Sequence, residues 1–261
     1  MLPAERHAAI IDTLRSERIV RAAELAKLLG VSVVTVRRDI DALDEAGLLE
    51  KIHGGAKLPG SAGTDEPGFD LKATQAEEEK TAIAREALSL VHDGMAVGLS
   101  AGTTTWALAK LLAPEARITV VTNSVRVAGV FWAAGSRSTV ILTGGERTPS
   151  DALVGPVATA ALSKLHLDLL FLGVHGMDPD AGFTTPNLLE AEMNRAFIKA
   201  ARRVVVLADH TKWGTAGIST IAALDDADEV ISDDRLGAEA QRLIKERAGR
   251  LRLAHDLPRS A

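Results

Sequence analysis

Residues 20–57 read VRAAELAKLLGVSVVTVRRDIDALDEAGLLEKIHGGAK, and this stretch decides the fold of the N-terminal part. Leu25, Leu28 and Leu29 fall on one face of a short helix. Gly30 ends it, because a residue without Cβ takes the left-handed backbone that a tight turn needs. Ser32 is a good N-cap for a second helix. Val36, Ile40 and Leu43 then recur at i, i+4 and i+7 as its buried stripe. Val34, Thr35, Arg37 and Arg38 are left on the opposite side near the helix start. A helix-turn-helix presents base-reading and phosphate-contacting side chains at that place in the major groove. Gly47 closes the helix, Leu48 and Leu49 return to the core, and the glycines at 54 and 55 mark a hairpin. Lys51, His53 and Lys57 put positive or titratable groups on this wing, beside backbone phosphates. An ordinary small helical bundle with surface arginines would not require turn, helix and wing in this order.

Composition narrows the remainder. At 261 residues the chain has room for two domains, and 46% apolar with 25% charged residues fits a globular protein. Without cysteine there is no disulfide, thiolate chemistry or cysteine metal site. The charged start (Glu5, Arg6, His7) is unlike a signal peptide, and no apolar run spans a membrane, so a cytoplasmic location is expected. Net charge is −5, and residues 1–60 hold nine Lys/Arg against nine Asp/Glu. Nucleic-acid binding would therefore depend on where Arg37, Arg38, Lys51 and Lys57 point rather than on bulk charge. One neutral module makes few phosphate contacts, which argues for a homo-oligomer, a dimer or tetramer, on double-stranded DNA.

The pattern changes along the chain. A helix over 4–17 turns Ile10, Ile11 and Leu14 inward. Residues 58–72 are rich in Gly and Pro and read as a linker. A helix near 73–92 follows. Then come short Val/Ile/Leu-rich strands at 95–100, 117–123, 139–145, 167–176, 202–210 and 228–234, alternating with helices. Nearly continuous apolar runs are the mark of strands buried on both faces. The expected fold class is α/β: a winged helix-turn-helix over 1–57, the linker 58–72, and a larger, mostly parallel α/β domain over 73–261. A helix over 237–248 and a strand-like stretch at 251–255 complete it. Trp106 and Trp132 are expected in the core or at a subunit interface.

Ligands of open α/β sheets bind beyond the carboxyl ends of the strands. The first such end offers Ser100, Gly102, Thr103 and Thr104 before a helix, a phosphate cradle or plain capping. Asn123 at the second end could hydrogen-bond a polyol or start the next helix. Gly144 and Gly145 at the third mark backbone crowding, by a ligand or a neighbouring loop. The fourth carries His175, and the fifth carries Asp209 and Lys212, the cation to pair with an anionic ligand. The GxxxxGK[ST] spacing is absent, and the seven histidines form no HxxxH or HExxH pair, so no metal or cofactor is expected.

TVRRDIDALDEAGLLEKIHGGA, from Thr35 to Ala56, closely resembles the signature of DeoR-family bacterial transcription regulators. GTTT, VVTNS, LTGG, LVGP, FLGVHG, GFTTPN and LADHTKWG follow in that family's order, so the resemblance covers nearly the whole chain. It implies an effector domain similar to the sugar-phosphate isomerase and coenzyme A transferase fold group. It further implies a phosphorylated sugar or related metabolite that releases a repressor of carbohydrate-metabolism genes from DNA. Glu190 matches the family's pattern. Ser100 stands where members usually have Asp, Asn194 where they have Lys, and His175 where many have Asp or Ser. Thr211-Lys212-Trp213-Gly214 replaces the common Ser-Lys-Phe-Gly. A ligand differing in its sugar moiety is implied, with a non-phosphorylated one left open.

Two other function classes compete. A sugar-phosphate-processing enzyme with a DNA-binding head would need a base and an electrophile, for which Glu190, Asp209 and Lys212 are available. Ser100 at the first-loop carboxylate position cannot act as a base at neutral pH, so no catalytic residue is assigned. A protein-interaction module would use the winged helix without reading DNA.

Overall fold

The computed structural model describes residues 3–17, 19–46, 48–52, 54–57 and 68–255. Two compact units divide the chain between Asp65 and Glu66. His53 and Gly47, read above as parts of the wing, lie outside the described residues, as do linker positions 58–67.

The first unit has the elements α1 (Pro3–Glu17), β1 (Ile19–Arg21), α2 (Ala22–Leu29), α3 (Val33–Glu45), β2 (Glu50–Ile52) and β3 (Gly55–Lys57). The turn between α2 and α3 forms as its residues dictate. Gly30 is left-handed at φ 65°, and the Ser32 hydroxyl accepts the Thr35 amide at 3.1 Å. Ile10, Leu14, Leu25, Val36, Ile40, Leu43 and Leu49 are all buried as one core. Leu28, expected on the buried face, is exposed. The buried stripe is Ala22, Leu25, Ala26 and Leu29, and Leu28 lies roughly 110° round the helix from its centre, at about 100° per residue. The wing has three strands, not two. β3 lies between β1 and β2, antiparallel to both. β1 was not legible because three residues are too few to show alternation.

The second unit begins with α4 (Phe69–Thr74) and α5 (Glu77–Leu88). The last four residues of the expected linker are therefore helical, anchored by Phe69, which is buried. There follow β4 (Ala96–Leu99), α6 (Thr103–Leu112), β5 (Thr119–Thr122), α7 (Val125–Ala133), β6 (Thr139–Leu142), β7 (Glu146–Arg147), β8 (Leu153–Val154) and α8 (Pro156–Leu162). The chain then forms β9 (Leu169–Gly173), β10 (Gly176–Asp178), β11 (Gly182–Thr185), α9 (Leu188–Ala200) and β12 (Val204–Leu207). It ends with β13 (Ser219–Ala222), β14 (Glu229–Asp233), α10 (Ala238–Arg247) and β15 (Leu251–Ala254).

Seven strands make one parallel sheet in the order β15-β14-β12-β9-β4-β5-β6. Alternate residues of one strand feed opposite layers. Phe171, Val205 and Leu207 pack with Ile83, Leu108 and Phe131, from α5, α6 and α7. Leu170, Leu172, Val204 and Val206 pack with Leu162, Phe197 and Ile244, from α8, α9 and α10. This two-sided burial explains the unbroken apolar runs, and each fully buried Leu or Phe contributes roughly 1.5–3 kcal/mol. A small antiparallel sheet, β10-β11-β13, and the β7-β8 hairpin are additions that the sequence did not reveal. Trp132 is 60% exposed, so it is not a core residue. No described helix is long and apolar enough to cross a membrane.

Candidate functional sites: an exposed helix face and a strand-end cleft

On α3, Ser32, Val34, Arg37 and Arg38 are exposed and Thr35 is half-buried. Ser32 and Thr35 share a side-chain hydrogen bond of 2.8 Å at the helix start. Among the described residues, neither arginine has an ion-pair partner, so both are free to take phosphates or base edges. The wing lysines are engaged. Lys51 Nζ lies 2.5 Å from Asp41, and Lys57 Nζ lies 2.7 Å from Glu50. These pairs are exposed and worth little, so exchange for a phosphate is inexpensive. The inward face of α3 carries Asp39, which accepts Arg6 at 2.8 and 2.9 Å and His7 at 3.1 Å. The Arg6 hydrogen bond holds the Asp39 carboxyl below the ordinary carboxylate range. It ties α1 to the back of the exposed helix.

In the second unit the parallel sheet brings the C-terminal ends of β4, β5, β6, β9 and β12 to one edge. Ser100 is fully buried there. Its hydroxyl accepts the Gly173 amide at 2.9 Å, lacing the β4 loop to the β9 loop. Asn123 is also consumed by the frame. Its Oδ1 accepts the Ala101 amide at 2.8 Å and its Nδ2 donates to the Leu153 carbonyl at 3.1 Å. Ser124, not Asn123, caps α7. Gly145 has φ 113°, and a Cβ there would stand 2.3 Å from the Val154 carbonyl oxygen. Its crowding comes from β8 of the same chain. Gly144 lies beside it at φ 73°.

Gly102 starts α6 with no side-chain cap, so the first-turn amides of Thr103 and Thr104 remain available at the positive end of the helix. Thr103 also lines a cleft of about 100 Å³ together with Lys80, Trp106 and Lys110. Lys80, on α5, is buried, and its ammonium donates to the Lys72 and Gln75 carbonyls at 2.5 Å each. Burial, then the nearby Lys212 charge, pushes its pKa down to about 8, against the pull of Asp209. Asp209 is fully buried. Thr211 hydroxyl and amide both donate to its Oδ1, while Oδ2 has no hydrogen-bond partner among the described residues. A buried carboxylate oxygen without a donor is costly unless something else supplies one. Lys212 is half-buried on the same loop.

Glu190, at the start of α9, takes hydroxyl donors from Thr148 (2.8 Å), Thr185 (3.4 Å) and Ser150. His175 is half-buried and donates its amide to the Thr184 carbonyl at 3.1 Å. Chemically, the uncapped amides, Lys80 and Lys212 suit an anion, and Asp209 Oδ2 suits a hydroxyl donor.

Sequence reading missed Lys80, and a signal was present. Lys80, Ile83, Ala84 and Ala87 stand at i, i+3, i+4 and i+7, so the lysine occupies the apolar stripe of its own helix.

Comparison with known proteins agrees with both units. A model described as the DeoR C-terminal sensor domain matches residues 75–234, and one described as the DeoR-like helix-turn-helix domain matches residues 6–62. The HTH-type transcriptional regulator GlpR of Haloferax volcanii is 37% identical over 246 residues, 94% of this chain and 95% of that protein. The glycerol-3-phosphate regulon repressor of Escherichia coli is 32% identical over 234 residues, 89% of this chain and 92% of that protein. Among solved structures, ribose 5-phosphate isomerase A of Methanocaldococcus jannaschii aligns with a TM-score of 0.40 at 18% identity, over 53% of this chain and 55% of that one.

Proposed function

The chain belongs to the DeoR family of transcriptional regulators, and we propose that it represses carbohydrate-metabolism genes and leaves DNA when a phosphorylated polyol or sugar occupies the sensor cleft. The family assignment makes it a DNA-binding regulator. The effector class rests chiefly on one observation, the orphan Oδ2 of Asp209, which is in electrostatic range of Lys80 and on the loop that carries Lys212. A phosphate suits the two ammonium groups and the amides of Thr103 and Thr104. An adjacent hydroxyl suits Asp209. The name of the Escherichia coli relative, a glycerol-3-phosphate regulon repressor, supports the same class. In this reading Ser100, Asn123, Gly102, Gly144 and Gly145 shape the backbone, while Glu190 and His175 border the ligand's far end.

On DNA, Val34, Thr35, Arg37 and Arg38 read base edges and phosphates, and Ser32, Lys51, His53 and Lys57 add backbone contacts. A bidentate Arg–guanine pair gives roughly 1–3 kcal/mol of discrimination. The functional form is a homo-oligomer in the cytoplasm, with one head per half-site. We assign no turnover. The Ser100 hydroxyl accepts the Gly173 amide and is buried, so the first loop offers no base.

Fluorescence anisotropy on operator DNA, with a panel of free and phosphorylated polyols and sugars including glycerol 3-phosphate, tests the proposal. Release by phosphorylated members only is expected. Tight DNA binding that no phosphorylated compound alters would overturn the effector class.

A further inference from the structure

Arg126 stands at the second position of α7, where the helix dipole disfavours a cation. Two carboxylates hold it there. Its Nε donates to Asp151 at 2.7 Å, and a terminal nitrogen lies 3.2 Å from Asp70. Its guanidinium carbon also sits 5.0 Å from the centre of the Phe69 ring. Phe69 in turn packs edge-on against Trp106, with ring centres 5.5 Å apart. Asp70 and Phe69 belong to α4, the first described element of the sensor unit after residues 58–67.

The other end of this bridge lies in the effector loops. Asp151 is buried with a left-handed backbone, φ 64°, a strained conformation for a residue with a side chain. Arg126 and Arg147 both bind it. The adjacent Thr148 and Ser150 hydroxyls donate to Glu190. Moving the Glu190 carboxylate therefore moves the segment that carries Asp151. The two halves of the bridge differ in strength. The Asp151 side chain is 4% exposed and the Asp70 side chain 85% exposed. An ion pair to so exposed a carboxylate is weak and easily broken.

We propose that Arg126 is a positioning residue that couples the effector loop at 148–151 to α4, and through α4 to the segment leading to the DNA-binding head. The coupling rests on the effector reading given above, but the contacts it uses do not include the anion site.

The test uses the full chain and an operator selected by the wild-type protein from a random duplex pool. Amide hydrogen exchange and operator affinity are measured without ligand for wild type, Arg126→Ala and Arg147→Ala. Arg126→Ala should raise exchange at 69–74 about fivefold, the upper end of what an exposed ion pair gives, and weaken operator binding by about the same factor. Arg147→Ala removes the other cation from Asp151 without touching α4, so both readouts should stay within twofold. Faster exchange in α4 with unchanged operator affinity would overturn the coupling, and so would unchanged exchange. Equal effects of the two variants would reduce Arg126 to general support of the loop. Adding 5 mM glycerol 3-phosphate to wild type separates the two ideas. Protection at 103–105 and 148–151 is expected. Its absence, with the Arg126→Ala result intact, would count against the effector reading and not against the coupling.

Discussion

Replacing Lys80 by Met tests the sensor cleft most sharply, because the expected stability change runs opposite to the usual cost of altering a buried side chain. Methionine keeps the length and removes the charge. The ammonium titrates at about 8 in the folded chain against 10.5 in the ordinary case. At roughly 1.4 kcal/mol per pKa unit, the charged form carries a penalty of about 3 kcal/mol at pH 7. The folded value is the lower one, so between pH 8 and 10.5 the unfolded chain binds more protons. Stability contributed by this group is complete above 10.5 and lost as pH falls through 8. Losing the two carbonyl hydrogen bonds costs about 2 kcal/mol in the other direction. Lys80→Met should therefore be as stable as wild type at pH 7, or up to about 1 kcal/mol more stable. It should lack the rise in stability between pH 8 and 10.5. All three tryptophans, Trp106, Trp132 and Trp213, lie in the sensor unit, so urea unfolding followed by indole fluorescence reports that unit alone. Calorimetric titration with glycerol 3-phosphate should show affinity falling at least tenfold. A loss of 2 kcal/mol or more at pH 7, with ligand affinity retained, would refute the reasoning and make Lys80 a structural tie for α4.

Three further outcomes are expected. Arg37→Ala with Arg38→Ala should abolish specific binding and lower the magnitude of the salt slope by up to about 2, read from anisotropy between 50 and 200 mM salt, or about 0.9 per lost phosphate contact. Asp39→Asn should flatten the acid response of the DNA-binding head. The native carboxyl, held low mainly by Arg6, contributes stability above its ordinary 3.8 that is lost as pH falls below it. Hydrogen exchange over 33–45 as a function of pH reads this, and an unchanged acid profile would count against it. Gly145→Ala should destabilise the sensor unit by about 2 kcal/mol in urea, because φ 113° and the Val154 carbonyl at 2.3 Å both exclude a Cβ.

Much of this was readable in the sequence, for local reasons. Gly30, Ser32 and the i, i+4, i+7 stripe of α3 act within a few residues, so the exposed face of α3 followed from them directly. The seven parallel strands were legible because burial on both faces removes polar interruption. The short antiparallel pieces were not. β7 and β8 have two residues each, β10 is a three-residue strand hairpinned to β11, and β1 and β11 owe a pairing to the distant β3 and β13. The candidate site was legible as loops but not as chemistry. Ser100 and Asn123 read as strand-end polar groups suited to a ligand or to capping, and only the fold shows that their polar atoms also join one loop to another. Lys80 lies on a helix away from the strand ends where ligands are sought, and Arg126 lies in the first turn of the helix that follows β5. Their importance comes from partners far along the chain: Lys212 for one, Asp70 and Asp151 for the other.

The sheet order has a consequence for the time course of folding. From β4 the chain builds outward through β5 and β6, then returns to β4's other side with β9 and builds outward again through β12, β14 and β15. Each half can assemble from sequence neighbours, but joining them requires β4 to meet β9. Ser100 and Gly173, which bond across that seam, are 73 residues apart. Long-range closure of this kind comes late and slowly. The proposed effector would lie along the same seam and make contacts that exist only after the halves have joined. Such a ligand slows unfolding and leaves the folding rate nearly unchanged. The lifetime of the folded sensor, and with it the protein's resistance to proteolysis, would then rise and fall with the metabolite it detects.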